Sequence, residues 1–319
     1  MGSATVNTTA ICQGVWKNRT LRAEQHYRKV GVQVKISNEW LTASGAEFRA
    51  EDGRQGVAHL TCYSAEYCEW GMGPPVVLVP GMAGGYDLLG PLARILARNH
   101  RVISYQLRGE NDCFALRRRF NLADLVRDLA EFLAWHRLER PALMGVSFGG
   151  VIALEFAARH ANRLRSLVVQ GAGARFERGL VQQVAGMVLS RYPLPSDNPF
   201  VNQFFNLLFG RRQEHNALFQ FVTRQCWQTD QSVMAHRFRL VESFDIVDRL
   251  CRIDVPTLVL AGARDLLVSA RNLASLEDGI ARARIARLAG CGHLAFATHP
   301  EKVGREVKEF LRASERICV

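Results

Sequence analysis

The sequence predicts an α/β fold, in which a mostly parallel, doubly wound sheet has helices on both faces and a helical segment is inserted late in the chain. From residue 76 onward, short apolar runs alternate with longer amphipathic stretches, the pattern of strands joined by crossover helices. This alternation stops over residues 175–250 and resumes at Pro256. With 319 residues, the chain is long enough to bury a substantial core.

The N-terminal part has the weakest pattern. Residues 1–40 mix apolar and polar residues without a sustained period, and we treat them as a poorly defined extension. Residues 47–61 predict a hairpin, because Asp52 and Gly53 form a turn dipeptide within this stretch.

Six strands and four helices are then predicted in order. The strands are short, mainly apolar runs at 76–79, 101–105, 142–144, 166–170, 256–262 and 284–288. The helices are predicted at 87–98, 121–136, 151–160 and 300–313. The second helix has apolar residues at three- and four-residue spacing, so it is strongly amphipathic. The last strand carries Arg284 and Arg287, which favours an edge position in the sheet.

The 175–250 segment contains helix-like stretches and no convincing strand. We therefore predict a helical cap over the strand ends, with the core of the fold formed by 41–174 and 251–319. Phenylalanines are frequent at 200–209 and 218–222. Packing between helices explains most of them, but a pocket lined by phenylalanine would suit an apolar or aromatic acyl group.

Residues 145–149 have the sequence Gly-Val-Ser-Phe-Gly, which contains the Gly-x-Ser-x-Gly motif of a nucleophile elbow. A serine at a sharp turn from strand to helix has a strained backbone, and bulky residues two positions away would collide there. Gly145 and Gly149 remove those side chains, and Gly150 lets the helix pack close to the sheet. The alternative is a glycine-rich turn with a capping serine. The apolar strand before the motif and the helix after it favour an elbow with Ser147 as the nucleophile.

A serine hydroxyl is a weak nucleophile, so a base and a group that orients the base must lie nearby. Asp265 follows the strand at 256–262, and His293 follows the strand at 284–288 on a loop flanked by glycine. The chain order Ser, Asp, His is the order that the elbow motif requires. A helix cap is the alternative role for Asp265.

Rival residues are less suitable. Three aspartates precede the strand at 256–262 instead of following it, namely Asp245, Asp248 and Asp254. Among the other histidines, His215 and His236 fall in the predicted cap and could contact a substrate, although a solvated surface position fits them better.

On these motifs the chain resembles the α/β-hydrolase superfamily, in the branch with a helical cap after the sixth strand, over roughly residues 45–315. Residues 143–150 of this chain resemble the nucleophile elbow of the superfamily. Residues 262–265 resemble its acid motif, and residues 290–293 resemble its histidine motif. The resemblance implies that Ser147, His293 and Asp265 form a catalytic triad, and that no cofactor is needed.

The resemblance also implies an oxyanion hole formed by the backbone N–H groups of Met82 and Phe148. Phe148 follows the nucleophile at a helix N-terminus, where the helix dipole favours negative charge. Met82 lies in the loop after the strand at 76–79. Pro80 stands where relatives commonly have histidine, and Gln106 stands where they usually have aspartate. Both positions usually support loop geometry.

These observations predict a cofactor-independent serine hydrolase that cleaves a small or medium carboxylic ester through an acyl-enzyme intermediate. Hydrolysis of a thioester, a lactone or a carbon–carbon bond, and perhydrolysis, use the same triad and stay open. The family resemblance argues against epoxide hydrolase and haloalkane dehalogenase, whose nucleophile is an aspartate. No basic cluster is placed obviously to bind a carboxylate or phosphate, and Arg108, in a strand-end loop, is one possibility. The alternative from another class is a non-catalytic ligand- or partner-binding protein on a hydrolase scaffold.

The composition is ordinary for a globular enzyme, with 48% apolar and 22% charged residues. The net charge of +11 comes from an excess of arginine, with 36 arginines that are mostly scattered, so we expect a solvated basic surface and no nucleic-acid partner. Attraction to anionic substrates or membranes is the alternative. The partner implied by the family resemblance is a small-molecule acyl substrate. No apolar run reaches the roughly 18 residues that predict a membrane span.

The eight cysteines contain no Cys-x-x-Cys pair, so no zinc site is predicted. Since no secretory signal is visible, we expect a cytoplasmic protein.

Overall fold

The computed structural model of the chain describes residues 53–110, 116, 118–191, 205–210 and 217–317. Its centre is a sheet of eight strands in the order β1-β2-β4-β3-β5-β6-β7-β8. The strands are β1 (Arg54–His59), β2 (Ser64–Trp70), β3 (Pro75–Val79), β4 (Arg101–Tyr105), β5 (Ala142–Val146), β6 (Ser166–Gln170), β7 (Thr257–Gly262) and β8 (Ala283–Leu288). The predicted extension at 1–40 lies outside the described residues.

Strand pairing confirms the predicted fold class. The β1–β2 and β2–β4 pairs are antiparallel, and the five pairs from β4 to β8 are parallel. β8 lies at the edge of the sheet, as its two arginines predicted. The sheet is therefore mostly parallel, and the carboxyl ends of its parallel strands meet at one edge.

Helices cover both faces of this sheet. They are α1 (Gly90–Leu96), α2 (Leu122–Trp135), α3 (Phe148–His160), α4 (Leu180–Arg191), α5 (Ala217–Cys226), α6 (Gln231–Glu242), α7 (Ala270–Gly279), α8 (Ala295–Thr298) and α9 (Pro300–Ile317). A short helical stretch also lies at 205–209. In the described part of the chain, no helix has both the length and the apolar character needed to cross a lipid bilayer.

The strands divide their side chains between two hydrophobic cores. Successive residues of a strand point to opposite faces of a sheet. Accordingly, Val77 and Val79 of β3 pack in the core that includes α2 and α3. Val76 and Leu78 pack in the core that includes α1 and α9. This division between the two faces is what a doubly wound sheet requires.

The hairpin predicted at 47–61 is described only from Gly53 onward, so its predicted turn at Asp52 and Gly53 stays a prediction. Residues 47–52 of the predicted hairpin lie outside the described residues, and Gly53 comes directly before β1. The hairpin in the structure joins β1 to β2, with the Leu60 N–H donating to the Tyr63 carbonyl oxygen at 3.0 Å. β2 was not predicted because Glu69 interrupts its apolar pattern. That carboxylate is buried and accepts hydrogen bonds from Arg54 and Arg101.

The last helix also differs from its prediction, since α9 extends to Ile317 instead of ending near residue 313.

The chain segment between β6 and β7 has residues near its start and near its end side by side. Arg175 and Asp245 form an isolated antiparallel bridge. Beside it, the Phe176 N–H donates to the Phe244 carbonyl oxygen at 3.0 Å. Among the residues described between the two ends, the regular elements are helices α4, α5 and α6 and the 205–209 stretch. Residues 192–204 and 211–216 lie outside the described part of the chain.

Candidate active site

Ser147 forms the turn between β5 and α3. Its backbone angles are φ 51° and ψ −117°, a region that residues other than glycine rarely occupy. Such a conformation persists only where the surrounding structure enforces it, and it is concentrated at functional sites. Two backbone hydrogen bonds hold the turn. The Ser147 N–H donates to the Gln170 carbonyl oxygen, and the Gly150 N–H donates to the Ser147 carbonyl oxygen, each at 2.8 Å.

Close backbone packing around this turn leaves no space for side chains at the flanking glycines. A Cβ atom on Gly145 would overlap the carbonyl oxygen of Gly149, and a Cβ atom on Gly149 would overlap that of Val79. A Cβ atom on Gly150 would lie 2.6 Å from the Cβ atom of Ala172. The steric requirement inferred from the motif is therefore met at all three glycines.

His293 connects Ser147 to Asp265. The Nε2 atom of His293 lies 2.9 Å from the Oγ atom of Ser147. Its Nδ1 atom lies 2.9 Å from the Oδ2 atom of Asp265. Both distances are those of hydrogen bonds. Because all three residues follow carboxyl ends of parallel strands, the sheet brings them together although Ser147 and His293 are 146 residues apart.

The two carboxylate oxygens of Asp265 have different partners. Oδ2 contacts His293, whereas Oδ1 accepts hydrogen bonds from the backbone N–H groups of Leu267 at 2.8 Å and Val268 at 3.3 Å. The two roles considered for this residue, orienting a histidine and capping the following turn, are therefore compatible.

Hydrogen bonding and attraction to His293 favour the ionised form of Asp265 despite its burial. The side chains of His293 and Asp265 are 5% and 2% exposed. Burial alone would raise the pKa of the Asp265 carboxyl, but attraction to His293 and the hydrogen bonds that it accepts hold this pKa below its usual value. An ionised carboxylate only accepts hydrogen bonds, so His293 donates from Nδ1 and offers Nε2 to the Ser147 hydroxyl. This arrangement suits proton transfer from the serine.

The two predicted oxyanion-binding groups lie on different elements. Phe148 is the first residue of α3, so its N–H belongs to the turn whose amides lack an acceptor within the helix. Met82 lies in the loop that we call the 80–86 loop, after β3. Its neighbour Gly81 borders the nucleophile, since a Cβ atom on Gly81 would lie 3.7 Å from the Cβ atom of Ser147.

Gln106 packs against Gly85 of the 80–86 loop. This residue is buried, and the φ angle of Gly85 beside it is 49°. A Cβ atom on Gly85 would overlap the side-chain amide of Gln106. Relatives usually have aspartate at position 106. Because Gly85 has no side chain, the loop leaves space for the glutamine found here.

Other candidate residues have structural roles. The Arg108 Nε and Nη2 atoms donate to the two oxygens of Asp128 at 2.9 and 2.5 Å, and its side chain is 14% exposed. Arg108 is therefore engaged by Asp128 within the fold, and a contact with a substrate carboxylate or phosphate stays a prediction. His236 is buried, with Nε2 2.6 Å from the Phe120 carbonyl oxygen, so the predicted surface position is wrong. His215 lies outside the described residues. Within those residues, no group of three or more His, Cys, Asp or Glu is arranged to hold a metal ion.

Three of the four phenylalanines described in the 205–226 region pack on one another. Phe205, Phe209 and Phe219 are buried. The rings of Phe209 and Phe219 stack with centroids 5.7 Å apart, and Phe205 meets Phe219 edge-on at 6.3 Å. Packing between helices, the main explanation offered by the sequence, accounts for these three residues.

Arg237 on α6 was not predicted, although it contacts both candidate oxyanion residues. Its side chain is 0% exposed and donates to the Met82 carbonyl oxygen at 2.7 Å. Its guanidinium carbon lies 5.9 Å from the centre of the Phe148 ring. The available signal was a charged residue between apolar ones on a helix, which is not distinctive among 36 arginines.

Comparisons with known proteins agree with this architecture. The family model for the alpha/beta hydrolase fold matches residues 74–300. The chain is 30% identical over 263 residues to the polyketide synthase ThaQ of Burkholderia thailandensis, covering 77% of this chain but only 12% of that protein. It is 29% identical over 238 residues to RutD of Azorhizobium caulinodans, a protein named provisionally as a carbamate hydrolase. That match covers 72% of this chain and 88% of RutD.

Solved structures show the same fold. A membrane phospholipase A, described as a bacterial virulence factor, superposes with a TM-score of 0.73 at 19% identity, covering 97% of this chain and 99% of that one. A hydrolase from Pseudomonas aeruginosa superposes with a TM-score of 0.70 at 23% identity, covering 81% of this chain and 98% of that one. At these identities the likeness concerns the fold.

Proposed function

The chain belongs to the α/β-hydrolase family, and on this premise we propose that it is a serine hydrolase of carboxylic esters. The observation that carries the proposal is the hydrogen-bonded series from the Ser147 hydroxyl through His293 to Asp265, with both distances 2.9 Å. The proposed substrate is a small or medium ester with an apolar or aromatic acyl group.

In the first half of the proposed reaction, the Ser147 oxygen attacks the acyl carbonyl carbon while His293 Nε2 takes the hydroxyl proton. The carbonyl electron pair moves to oxygen, and the N–H groups of Met82 and Phe148 stabilise the resulting oxyanion. Loss of one such donor typically costs about 2.7–4 kcal/mol of transition-state stabilisation. The carbonyl then re-forms, the bond to the leaving alcohol breaks, and the protonated His293 donates its proton to that alcohol.

In the second half, His293 takes a proton from water, which attacks the acyl ester on Ser147. The tetrahedral intermediate collapses, the bond to Ser147 breaks, and His293 returns the proton to the serine oxygen. Throughout both halves, Asp265 holds the Nδ1–H and stabilises the positive charge that forms on His293.

We also propose that the 175–250 segment acts as a cap over the acyl site. Its helical content in the described residues and its common entry and exit at the Arg175–Asp245 bridge support this assignment. The contact of Arg237 with Met82 places one residue of the segment beside the candidate site.

A carbamate is the second candidate substrate, favoured by the similarity to RutD. The same attack by Ser147 would give a carbamoyl-enzyme in place of an acyl-enzyme. A panel of p-nitrophenyl esters of increasing acyl length, with matched carbamate and thioester substrates, separates these possibilities. The ester proposal predicts the highest kcat/KM for a member of the ester series, and a higher value for a matched carbamate would contradict it.

The first test is covalent labelling with a fluorophosphonate probe. We expect the wild-type protein to be labelled and the Ser147→Ala variant to be unlabelled, while both show the same thermal unfolding. A folded wild-type protein that is not labelled would contradict hydrolase activity at Ser147. It would favour a non-catalytic protein that binds a ligand on this fold.

A further inference from the structure

We propose that Arg237 is a positioning residue that fixes the 80–86 loop in the geometry required for oxyanion binding. The 175–250 segment, which carries Arg237, would then contribute to the chemical step as well as covering the site. This inference rests on the proposed function, because it assigns the Met82 N–H to the oxyanion.

The Arg237 guanidinium binds three acceptors from two stretches of the chain, the 80–86 loop and residues 108–110. Nη1 donates to the Met82 carbonyl oxygen at 2.7 Å and to Glu110 Oε1 at 2.5 Å. Nη2 donates to the Arg108 carbonyl oxygen at 3.0 Å. Because Glu110 is also buried, the two opposite charges offset each other away from water. A planar guanidinium can satisfy this set of acceptors, whereas a lysine ammonium is a single point charge.

The same network holds the 80–86 loop at a second point. The other oxygen of Glu110, Oε2, accepts a hydrogen bond from the Thr229 hydroxyl at 2.7 Å. The Thr229 oxygen in turn accepts from the Gly84 N–H at 3.1 Å. The loop is thus fixed at the carbonyl of Met82 and at the amide of Gly84. Both bonds come from residues of the 175–250 segment.

Holding the Met82 carbonyl constrains the orientation of the Met82 N–H on the other side of the same Cα atom. An oxyanion donor must lie about 2.7–3.1 Å from the developing negative charge, and displacement of even part of an ångström weakens it. A change in the Arg237 network should therefore affect the transition state more than the bound substrate. The expected signature is a loss of kcat with little change in KM.

A purely structural role makes a different prediction. A buried ion pair can stabilise the fold without any effect on chemistry, and its removal then lowers stability alone. Arg249 and Glu155 provide a comparison pair, in which the carboxylate is buried and the Arg249 side chain is 31% exposed. Their Nη1 and Oε1 atoms are 2.5 Å apart, the Glu155 side chain is buried, and neither contacts the 80–86 loop.

The test compares Arg237→Lys with Arg249→Lys, using hydrolysis of p-nitrophenyl butyrate and inhibition by a matched trifluoromethyl ketone. For Arg237→Lys we expect kcat to fall about ten- to hundredfold with KM within about threefold. The inhibition constant of the ketone should rise by about the same factor as kcat/KM falls, because its hemiketal oxyanion needs the same donors. For Arg249→Lys we expect kcat and ketone inhibition within about twofold of wild type.

Thr229 supplies a second test that leaves the ion pair intact. Thr229→Val removes the hydroxyl that binds Gly84 and Glu110 with little change in volume, whereas Thr229→Ser keeps the hydroxyl. We expect Thr229→Val to lose about tenfold in kcat and Thr229→Ser to restore most of it. If Arg237→Lys does not fold, the two Thr229 variants test whether the network positions the 80–86 loop.

Several outcomes would overturn the inference. Equal losses in the Arg237 and Arg249 variants, an effect on KM alone, or unchanged ketone inhibition would each leave Arg237 with a structural role while the proposed function stands. A wild-type protein that neither hydrolyses the ester nor reacts with a fluorophosphonate would overturn both the proposed function and this inference.

Discussion

The two sides of the candidate active site are held by different parts of the molecule. On the acid–base side, Ser147, Asp265 and His293 all follow strands of one parallel sheet and bind one another directly. On the oxyanion side, the 80–86 loop is held by Arg237 and Thr229, which come from the segment inserted between β6 and β7. The groups proposed to react therefore depend on the core of the fold, whereas one of the groups proposed to stabilise charge depends on the insertion.

This difference implies two kinds of response to substitution. Removing a reacting side chain takes away a step of the reaction, so the loss should be large and should not add to the loss of its partner. Disturbing the 80–86 loop shifts a backbone donor without removing it, so the loss should be smaller and graded. Measurements on each side can test whether the division holds.

The largest effect is expected at the reacting groups. Ser147→Ala and His293→Ala should each lower kcat by about 10⁶, and the double variant should be little worse, because the two residues act as a unit. Steady-state kinetics on purified, folded variants measures this. Losses that add in the double variant would contradict the assigned roles.

A smaller loss is expected at Asp265. Asp265→Asn should lower kcat by about 10⁴, because an amide can donate to Nδ1 and so favour the wrong tautomer of His293. Glu155→Gln is the matched control, since Glu155 is a buried carboxylate that pairs with Arg249 and Arg159. Its kcat should stay within about threefold of wild type. Similar losses in both variants would indicate a general effect of removing a buried charge.

The acid–base side could be predicted from the sequence, because each residue lies in a local pattern with a steric or chemical cause. The elbow requires glycine at 145 and 149, since backbone oxygens occupy the space of a side chain there. The strand before Asp265 is a short apolar run, and the strand before His293 alternates apolar residues with Arg284 and Arg287, so both carboxyl ends could be located. The sheet order then follows from the βα alternation.

The oxyanion side could be predicted only in part. Phe148 and Met82 followed from the motif and the family resemblance, but their support by Arg237 did not. Arg237 and Glu110 are 127 residues apart, and an ion pair at that separation has no local signature in a single sequence. For the same reason, the sequence left Arg108 as one possibility for substrate binding, while the structure pairs it with Asp128.

The smallest effect is expected from a backbone change in the 80–86 loop. Gly85→Ala should cost about 1–2 kcal/mol of stability for its positive φ angle alone, plus a further loss from overlap with Gln106. Denaturant unfolding measures the total, and we expect kcat to fall about tenfold because the loop shifts.

Gly290→Ala is the control for stability, since its φ angle is 76° and no atom lies within 4 Å of the added methyl group. The double variant Gly85→Ala, Gln106→Ala should recover the part of the loss that comes from overlap. Equal destabilisation by Gly85→Ala and Gly290→Ala would show that Gln106 does not constrain the loop.

The bridge between Arg175 and Asp245 brings the two ends of the 175–250 segment together. Since its two ends meet at one point beside the sheet, a different segment could be spliced into this junction without changing the order of the strands. Such an exchange would also remove Arg237 and Thr229, so the new segment would have to supply its own support for the 80–86 loop. On the proposed roles, exchange of this segment would change the cover of the site and the support of the oxyanion loop in the same step.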